Sequence, residues 1–328
     1  MILVTGGAGF IGSNLVAGLL ESGRGPVAVV DWIGREEKCR NLAKHEIEAL
    51  VPPEELASFL QRRGNEVVHV YHMGAVTSTT ERDADLIAAT NLRLPQSLWD
   101  WCVDRAVPFV YASSAATYGD GAAGFHDGAD PIALARLRPL NAYGWSKHAF
   151  DRWVARRVRS GFPPPPQWAG LKFFNVYGPN EYHKGDMRSV VCKAYPRAAA
   201  DEPAQLFRSR HPDYPDGGQK RDFIHVRDCV SVMLWLHDQP QVSGIFNLGT
   251  GRAQTWLELI GALYDALERE LTVEWIDLPD ELADRYQYFT EADMTALREA
   301  GYEAPFMTVE EGVRDYVRRY LAADDPYR

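Results

Sequence analysis

The chain has 328 residues, long for one average domain and right for two, and its 46% hydrophobic and 24% charged residues can build a sizeable core. Lys and Arg total 35 against 45 Asp and Glu, a formal net charge of −10, which argues against a dedicated nucleic-acid binder but leaves room for anionic small molecules in a local basic pocket. Cys39, Cys102, Cys192 and Cys229 form no Cys-x-x-Cys pair, no apolar run approaches the roughly 20 residues of a membrane span, and the strand-like Met1-Ile2-Leu3-Val4 leaves no room for a signal peptide, so a reducing cytoplasm is expected.

Ile2–Thr5 reads as a short buried strand and Phe10–Glu21 as the helix that follows it. Between them, Thr5-Gly6-Gly7-Ala8-Gly9-Phe10-Ile11-Gly12 places glycines at Gly6, Gly9 and Gly12. That spacing permits a tight turn, close approach of a pyrophosphate and close helix–strand contact, and the helix N-terminus supplies unpaired N–H groups for phosphates. The second strand, Val27–Asp31, ends in an acid roughly 20 residues beyond the glycines, where a carboxylate binds a ribose hydroxyl. Asp31 favours a free 2′-OH, whereas Arg35, Lys38 and Arg40 could neutralise a 2′-phosphate or form only a solvated loop; from charge alone NAD and NADP both stay open.

A helix over Pro53–Arg63, a strand over Val67–His72, a helix over Asp83–Asp104 and a strand over Pro108–Ser113 come next, with Trp99 and Trp101 expected to pack on the sheet. Strand and helix in alternation predict a parallel sheet with helices on both faces. Ser113 and Ser114 end a strand at the carboxyl edge of that sheet, where open α/β proteins place ligands. The next helix, Gly144–Ser160, follows Tyr143-Gly144-Trp145-Ser146-Lys147, and a Tyr and a Lys four apart on a helix share a face. A lysine ammonium beside a phenol is expected to lower the tyrosine pKa, so that Tyr143 can take a proton from a hydroxyl as hydride leaves for a nicotinamide.

The second half is less regular. Pro163–Pro166 makes a stiff loop before a strand at Leu171–Val176, and Arg208–Lys220 reads as an exposed loop. Strands are expected at Gly244–Leu248 and Leu271–Ile276 with a helix at Gln254–Arg269 between them, and a last helix starts near Thr308 with Glu311 as its capping-box partner.

Thr5–Gly12, Ser113-Ser114-Ala115-Ala116-Thr117-Tyr118-Gly119 and Tyr143–Lys147 together resemble the extended short-chain dehydrogenase/reductase family, whose members rework nucleotide-linked sugars. Ser78-Thr79-Thr80-Glu81, Tyr111–Gly119, Phe173–Pro179, His183-Lys184-Gly185, Lys220–Phe223, Gly244–Arg252 and Arg285-Tyr286-Gln287 are similar to its ADP-heptose 6-epimerase branch, nearly end to end. The resemblance implies a Rossmann-type doubly wound sheet over residues 1–171 and a smaller α/β substrate domain over 172–328, with segments crossing back. It implies an isomerase that keeps NADP (NAD being possible) bound. Such an enzyme inverts C6″ of ADP-D-glycero-D-manno-heptose through a transient 6″-ketone.

By the same resemblance Tyr143 and Lys184 are the two acid/bases, Lys147 positions the cofactor ribose and depresses the Tyr143 pKa, and Ser114 holds the reacting oxygen. The cofactor would be lined by Gly6, Gly9, Phe10, Ile11, Gly12, Asp31, Trp32, Lys38, Met73, Gly74, Ala75, Val76, Thr77 and Val176. The ADP-heptose would meet Ser78, Asn175, Asp186, Lys193, Phe207, Arg208, Arg221 and Tyr286. On their own chemistry, Arg221 also reads as a surface ion-pair partner and Asn175 as a satisfied strand-end amide. No metal is expected, and a homo-oligomer in a Gram-negative cytoplasm, feeding lipopolysaccharide core assembly, is. Pro53 in place of a cofactor-binding lysine, Trp32, Lys193 and Asp186 depart from the branch. Ala115-Ala116 lacks the acid and base a 4,6-dehydratase needs, a UDP-hexose 4-epimerase would not call for His183-Lys184-Gly185, and a non-catalytic NADP-binding scaffold would not need an intact Ser114, Tyr143 and Lys147.

Overall fold

A computed structural model of the chain describes residues 1–79, 81–279 and 287–328. Its strands are β1 (Ile2–Thr5), β2 (Val27–Val30), β3 (Ala49–Val51), β4 (His69–His72), β5 (Phe109–Ser114), β6 (Trp168–Phe173), β7 (Asn175–Tyr177), β8 (Ala204–Phe207), β9 (Lys220–His225), β10 (Gly244–Leu248), β11 (Ala253–Thr255) and β12 (Val273–Ile276). Seven of them form one parallel sheet in the order β10-β6-β5-β4-β1-β2-β3. Most of these strands are buried on both faces, which is why they read as continuous apolar runs rather than alternating ones. Strand order reverses between β1 and β4, so the loops leaving their carboxyl ends open a crevice there.

The helices are α1 (Phe10–Glu21), α2 (Glu36–Arg40), α3 (Leu56–Arg63), α4 (Ala84–Ala88), α5 (Leu94–Arg105), α6 (Pro131–Leu134), α7 (Ala142–Arg159), α8 (Val190–Ala199), α9 (Val226–His237) and α10 (Trp256–Ala266), followed by Thr295–Glu299 and Val309–Tyr316. The single helix expected over Asp83–Asp104 is interrupted by a π turn at Ala89–Arg93. Pro95 accounts for it, because it has no N–H to offer the carbonyl of Asn91 one turn back. Trp99 is fully buried, edge-on to Phe109 at 6.0 Å, as expected; Trp101 is only half-buried and lies over Gly64. α7 is well specified locally, since the Asn141 side chain accepts from Gly144 N at 2.8 Å and Arg156, Arg157 and Arg159 complement its C-terminal dipole.

The strand expected over Leu171–Val176 is two strands. β6 belongs to the large sheet and β7 to a three-stranded sheet ordered β11-β9-β7, with the change at Phe174, whose N–H donates to Leu248 O at 3.0 Å. The residue 171/172 division therefore falls inside β6. A second core gathers Leu206, Phe223, Leu259, Leu263, Val313 and Tyr316 around α8, α10 and the helix Val309–Tyr316, whose Thr308/Glu311 capping box is formed. β10, α9 and Leu297 return to the first core, with α9 packed on α1 where Gly18 allows Val230 to approach. The chain's last residues return as well: Lys44 Nζ donates to Tyr327 O at 2.6 Å, and Tyr182 Oη donates to Pro326 O at 2.7 Å. Among the described residues no helix is long and apolar enough to cross a membrane.

Candidate active site

The crevice between β1 and β4 is built from glycines. Gly6 has a φ of +67°, and a Cβ there would lie 2.5 Å from Gly74 Cα, so the loops leaving the two strands touch back to back. At Gly12 a Cβ would lie 2.1 Å from Gly6 O, which fixes how closely α1 approaches the turn. A Cβ at Gly9 would meet only Gly6 O, at 3.1 Å, and its outer side is open. Gly9 caps α1 with no side-chain hydrogen bond, leaving the first N–H groups of the helix to a ligand. Asp31 Oδ2 accepts from Ala8 N at 3.0 Å, and Oδ1 pairs with Lys38 Nζ at 2.6 Å. Lys38 is thus held beside Asp31, also donating to Trp32 O, rather than lying in a solvated stretch. The Trp32 ring is half-exposed, its Nε1 donating to Glu54 Oε2 at 2.8 Å. Open glycine face, free helix end and ribose-side acid fit a dinucleotide.

The far wall of the crevice is the Met73–Thr77 loop. Met73 N donates to Thr5 O at 3.0 Å and Gly74 N to Thr5 Oγ1 at 3.3 Å. Asn91, turned inward by the π turn, accepts from Val76 N at 2.8 Å, donates to Val76 O at 2.9 Å and donates to Ser146 Oγ at 3.1 Å. Ser146 Oγ donates in turn to Tyr143 O at 2.7 Å. One buried amide therefore ties this loop to the start of α7. Asn91→Ala would leave the Val76 peptide groups without partners, a loss of about 1–3 kcal/mol. The expected result is cofactor retained roughly ten- to a hundredfold less tightly, read by the cofactor content left after gel filtration.

At the end of β5 the structure separates the two serines. Ser114 faces the Tyr143 phenol and holds its pKa down, whereas Ser113 Oγ donates to Asp151 Oδ2 at 2.7 Å, beneath the site. Lys147 is buried, and its Nζ donates to Ala112 O at 2.8 Å. Burial lowers its pKa to about 8, opposed by the charge of Asp151. The Tyr143 pKa is raised rather than lowered: burial pushes the phenol up, the Ser114 hydrogen bond pulls it back, and Asp151 adds to the rise. Burial, the largest cause, overrides the expected depression by Lys147, whose ammonium donates to a backbone carbonyl. Asp151 and Lys172, which the sequence reading passed over, are paired at 2.8 Å under this group.

Lys184 lies in the short helical segment Tyr182–Met187, with Nζ 5.1 Å from the centroid of the Phe10 ring at the mouth of the glycine turn. Burial lowers its pKa, opposed first by Glu181 and then by Cys192. The loop that carries it is fastened to the first lobe, since Asn14 Nδ2 donates to Pro179 O at 2.9 Å and Asn41 Nδ2 to Asn180 O at 3.1 Å. Ile11 and Val176 are partly buried and pack against the first core.

The residues expected at the sugar nucleotide are placed as follows. Arg221 is buried rather than at the surface: it donates to Lys220 O at 2.9 Å and to Gln287 O, and Gln287 Nε2 donates to Gly119 O. That chain of contacts joins Arg221 to the end of the Ser113–Gly119 segment through Gln287, a residue of the matching Arg285-Tyr286-Gln287 stretch to which the sequence assigns no role. Asn175 Nδ2 donates to Asp222 O at 3.1 Å and to Thr290 Oγ1 at 3.4 Å, as a strand-end amide does. Ser78 is partly buried and its carbonyl accepts from Glu81 N at 3.4 Å. Lys193 Nζ donates to Asp186 O at 3.3 Å on an exposed edge. Phe207 ends β8 and is partly buried; Arg208 is exposed beside Asp216 at 3.4 Å. Tyr286 lies outside the described residues.

A family model described as the NAD dependent epimerase/dehydratase family matches residues 2–249. A protein of Nitratidesulfovibrio vulgaris named ADP-L-glycero-D-manno-heptose-6-epimerase is 50% identical over 330 residues, covering 100% of both chains. One of the same name from Fusobacterium nucleatum is 42% identical, again over 100% of both. The solved structure of the Helicobacter pylori ADP-L-glycero-D-manno-heptose-6-epimerase superposes with a TM-score of 0.77 at 26% identity, covering 97% of this chain and 95% of that one.

Proposed function

Because the chain belongs to the NAD dependent epimerase/dehydratase family, we propose that it inverts C6″ of ADP-D-glycero-D-manno-heptose through a transient 6″-ketone, giving the L-glycero epimer. What supports this reading is that Ser114, Tyr143 and Lys147 gather at the end of β5 and Lys184 lies 5.1 Å from Phe10 at the glycine turn, in a chain alike over its whole length to enzymes of that name. The bound cofactor would supply the hydride acceptor and donor for C6″. Everything else falls to the protein. Tyr143 takes the proton of the 6″-hydroxyl and can return it, Ser114 holds that oxygen, and Lys147 holds the ribose. Lys184 handles the proton on the other face, and burial, which lowers its pKa, makes it readier to give that proton up than a free lysine.

Gly6, Gly9, Gly12, Phe10, Ile11, Asp31, Trp32, Met73–Thr77 and Val176 line the dinucleotide. Lys38, held at Asp31, supports NADP over NAD because it offsets the carboxylate that would repel a 2′-phosphate. Ser78, Asn175, Asp186, Lys193, Phe207, Arg208, Arg221 and Tyr286 receive the ADP-heptose, with residues 1–171 chiefly serving the cofactor and 172–328 the sugar nucleotide. The protein acts as a homo-oligomer in the bacterial cytoplasm.

Two measurements test these assignments. Denaturing the purified protein should release NADP, and release of NAD alone would overturn the role of Lys38. Offered ADP-, UDP- and GDP-linked sugars, it should turn over the ADP-heptose; turnover of UDP-hexoses alone would replace this reading with a 4-epimerase.

A further inference from the structure

Asp151 and Lys172 have no part in the reaction as described, yet they are fully enclosed charges close beneath it. Both side chains are 0% exposed. Asp151 stands one turn beyond Lys147 and two beyond Tyr143 on α7, so the three share a face. Lys172 lies on β6 directly beside Ser113 of β5 in the sheet register. Asp151 accepts from Tyr111 Oη at 3.0 Å, from Ser113 Oγ at 2.7 Å and from Lys172 Nζ at 2.8 Å. Lys172 also donates to Thr117 Oγ1 at 2.7 Å and lies 4.8 Å from the centroid of the Tyr118 ring. Thr117 Oγ1 donates onward to Ser114 O at 2.8 Å. The pair thus grips both ends of the segment that carries Ser114. A buried ion pair is a poor device for stability, since apolar side chains of similar volume generally do as well. Its place beneath the reacting group points to another use.

We propose that Asp151 and Lys172 are positioning residues that hold the Ser113–Thr117 segment and balance the charge beneath Tyr143 and Lys147. This rests on the reading of Tyr143 as the group that moves the proton. Tyr143 is faced by Ser114 of β5, and by Lys147 and Asp151 of its own helix. Lys147 is faced in addition by His72 of β4, which burial keeps neutral. Asp151 is faced by Tyr111 and Ser113 of β5, Lys172 of β6, Tyr118 after β5 and His148 of α7; His148 is itself flanked by Arg152 and by Arg138 from the segment before α7. The Asp151 carboxylate favours the protonated forms of both Tyr143 and Lys147, and Lys172, paired with that carboxylate at 2.8 Å, partly neutralises it.

The signs of the test follow. In Asp151→Asn the positive charge of Lys172 stands alone, so Tyr143 and Lys147 lose protons more easily. The pH profile of kcat/KM should move down by about one pH unit. In Lys172→Met the carboxylate stands alone, and the profile should move up by about as much. Shifts in the same direction, or none in folded protein, overturn the proposal. Because each single change strands a buried charge and risks misfolding, the double variant Asp151→Asn/Lys172→Met is measured too. It strands no charge, so its profile should return to that of the wild type, with kcat about tenfold lower and KM and cofactor content unchanged, because the grip on Ser114 is loosened. A wild-type kcat in that variant overturns the positioning role. Tyr143→Phe separates the two layers: if it keeps full activity, the reading of Tyr143 fails; if it is inactive while the paired variants behave as wild type, only this proposal fails.

Discussion

Tyr143→Phe should lower kcat by about 10²–10⁴-fold while fold and cofactor content stay as they are. The change removes one oxygen from a partly buried ring at the first turn of α7, and the phenyl group fills the same space. What is lost is the hydroxyl that faces Ser114, hence the group able to pass a proton at the 6″-oxygen. The wild-type pH profile should show the neighbouring charge. With Lys147 held at a pKa of about 8 by burial, its ammonium is present below that pH and is lost as the pH rises through it. Activity should therefore fall on the alkaline side from about pH 8. Chromatographic resolution of the C6″ epimers reads the rate, and circular dichroism with cofactor content controls for folding. Wild-type turnover would remove Tyr143 from the reaction.

Lys184→Met should abolish inversion to a similar degree, about 10²–10⁴-fold, with a different residue of activity. Methionine keeps most of the apolar stem that lies against Phe10 but carries no proton. The loop should stay in place, because its fastenings are backbone carbonyls of Pro179 and Asn180 held by Asn14 and Asn41, not Lys184 itself. Tyr143 should continue to serve its own face, so the ketone should still form and be trapped by hydroxylamine in the variant. A variant that loses its cofactor instead would make Lys184 a binding residue. One that epimerises at the wild-type rate would leave the second face without its assigned base.

The parts of this site that the sequence discloses are those carried by a few consecutive residues. The turn at Gly6, Gly9 and Gly12, the Thr308/Glu311 capping box and the Tyr143/Lys147 spacing are local, and each is formed as its residue types dictate. What stays hidden depends on pairings across the chain. Asn91 looks like any polar helix residue until Pro95 imposes a π turn and swings it toward Val76. Asp151 reads as a helix charge and Lys172 as a strand-edge cation until the register of β5 on β6 buries them together. The direction of the Tyr143 shift was misjudged for the same reason: spacing puts Lys147 on the right face but cannot show that burial of the phenol overrides its effect. The break between β6 and β7 at Phe174 has no glycine or proline to mark it, since it is made by a change of sheet within one apolar run. α9 was missed because its apolar residues run nearly all round, as suits a helix packed on α1 and under the sheet.

The most direct measurement uses ADP-D-glycero-D-manno-heptose carrying deuterium at C6″, incubated in ordinary water with the purified protein and no added cofactor, with both epimers then resolved and their deuterium content read. The account predicts that the L-glycero epimer forms and that both epimers keep the label, because hydrogen leaves C6″ and returns to it without passing through solvent. An L-glycero product that has lost its deuterium to water, or no product from protein shown to hold its cofactor, would contradict it.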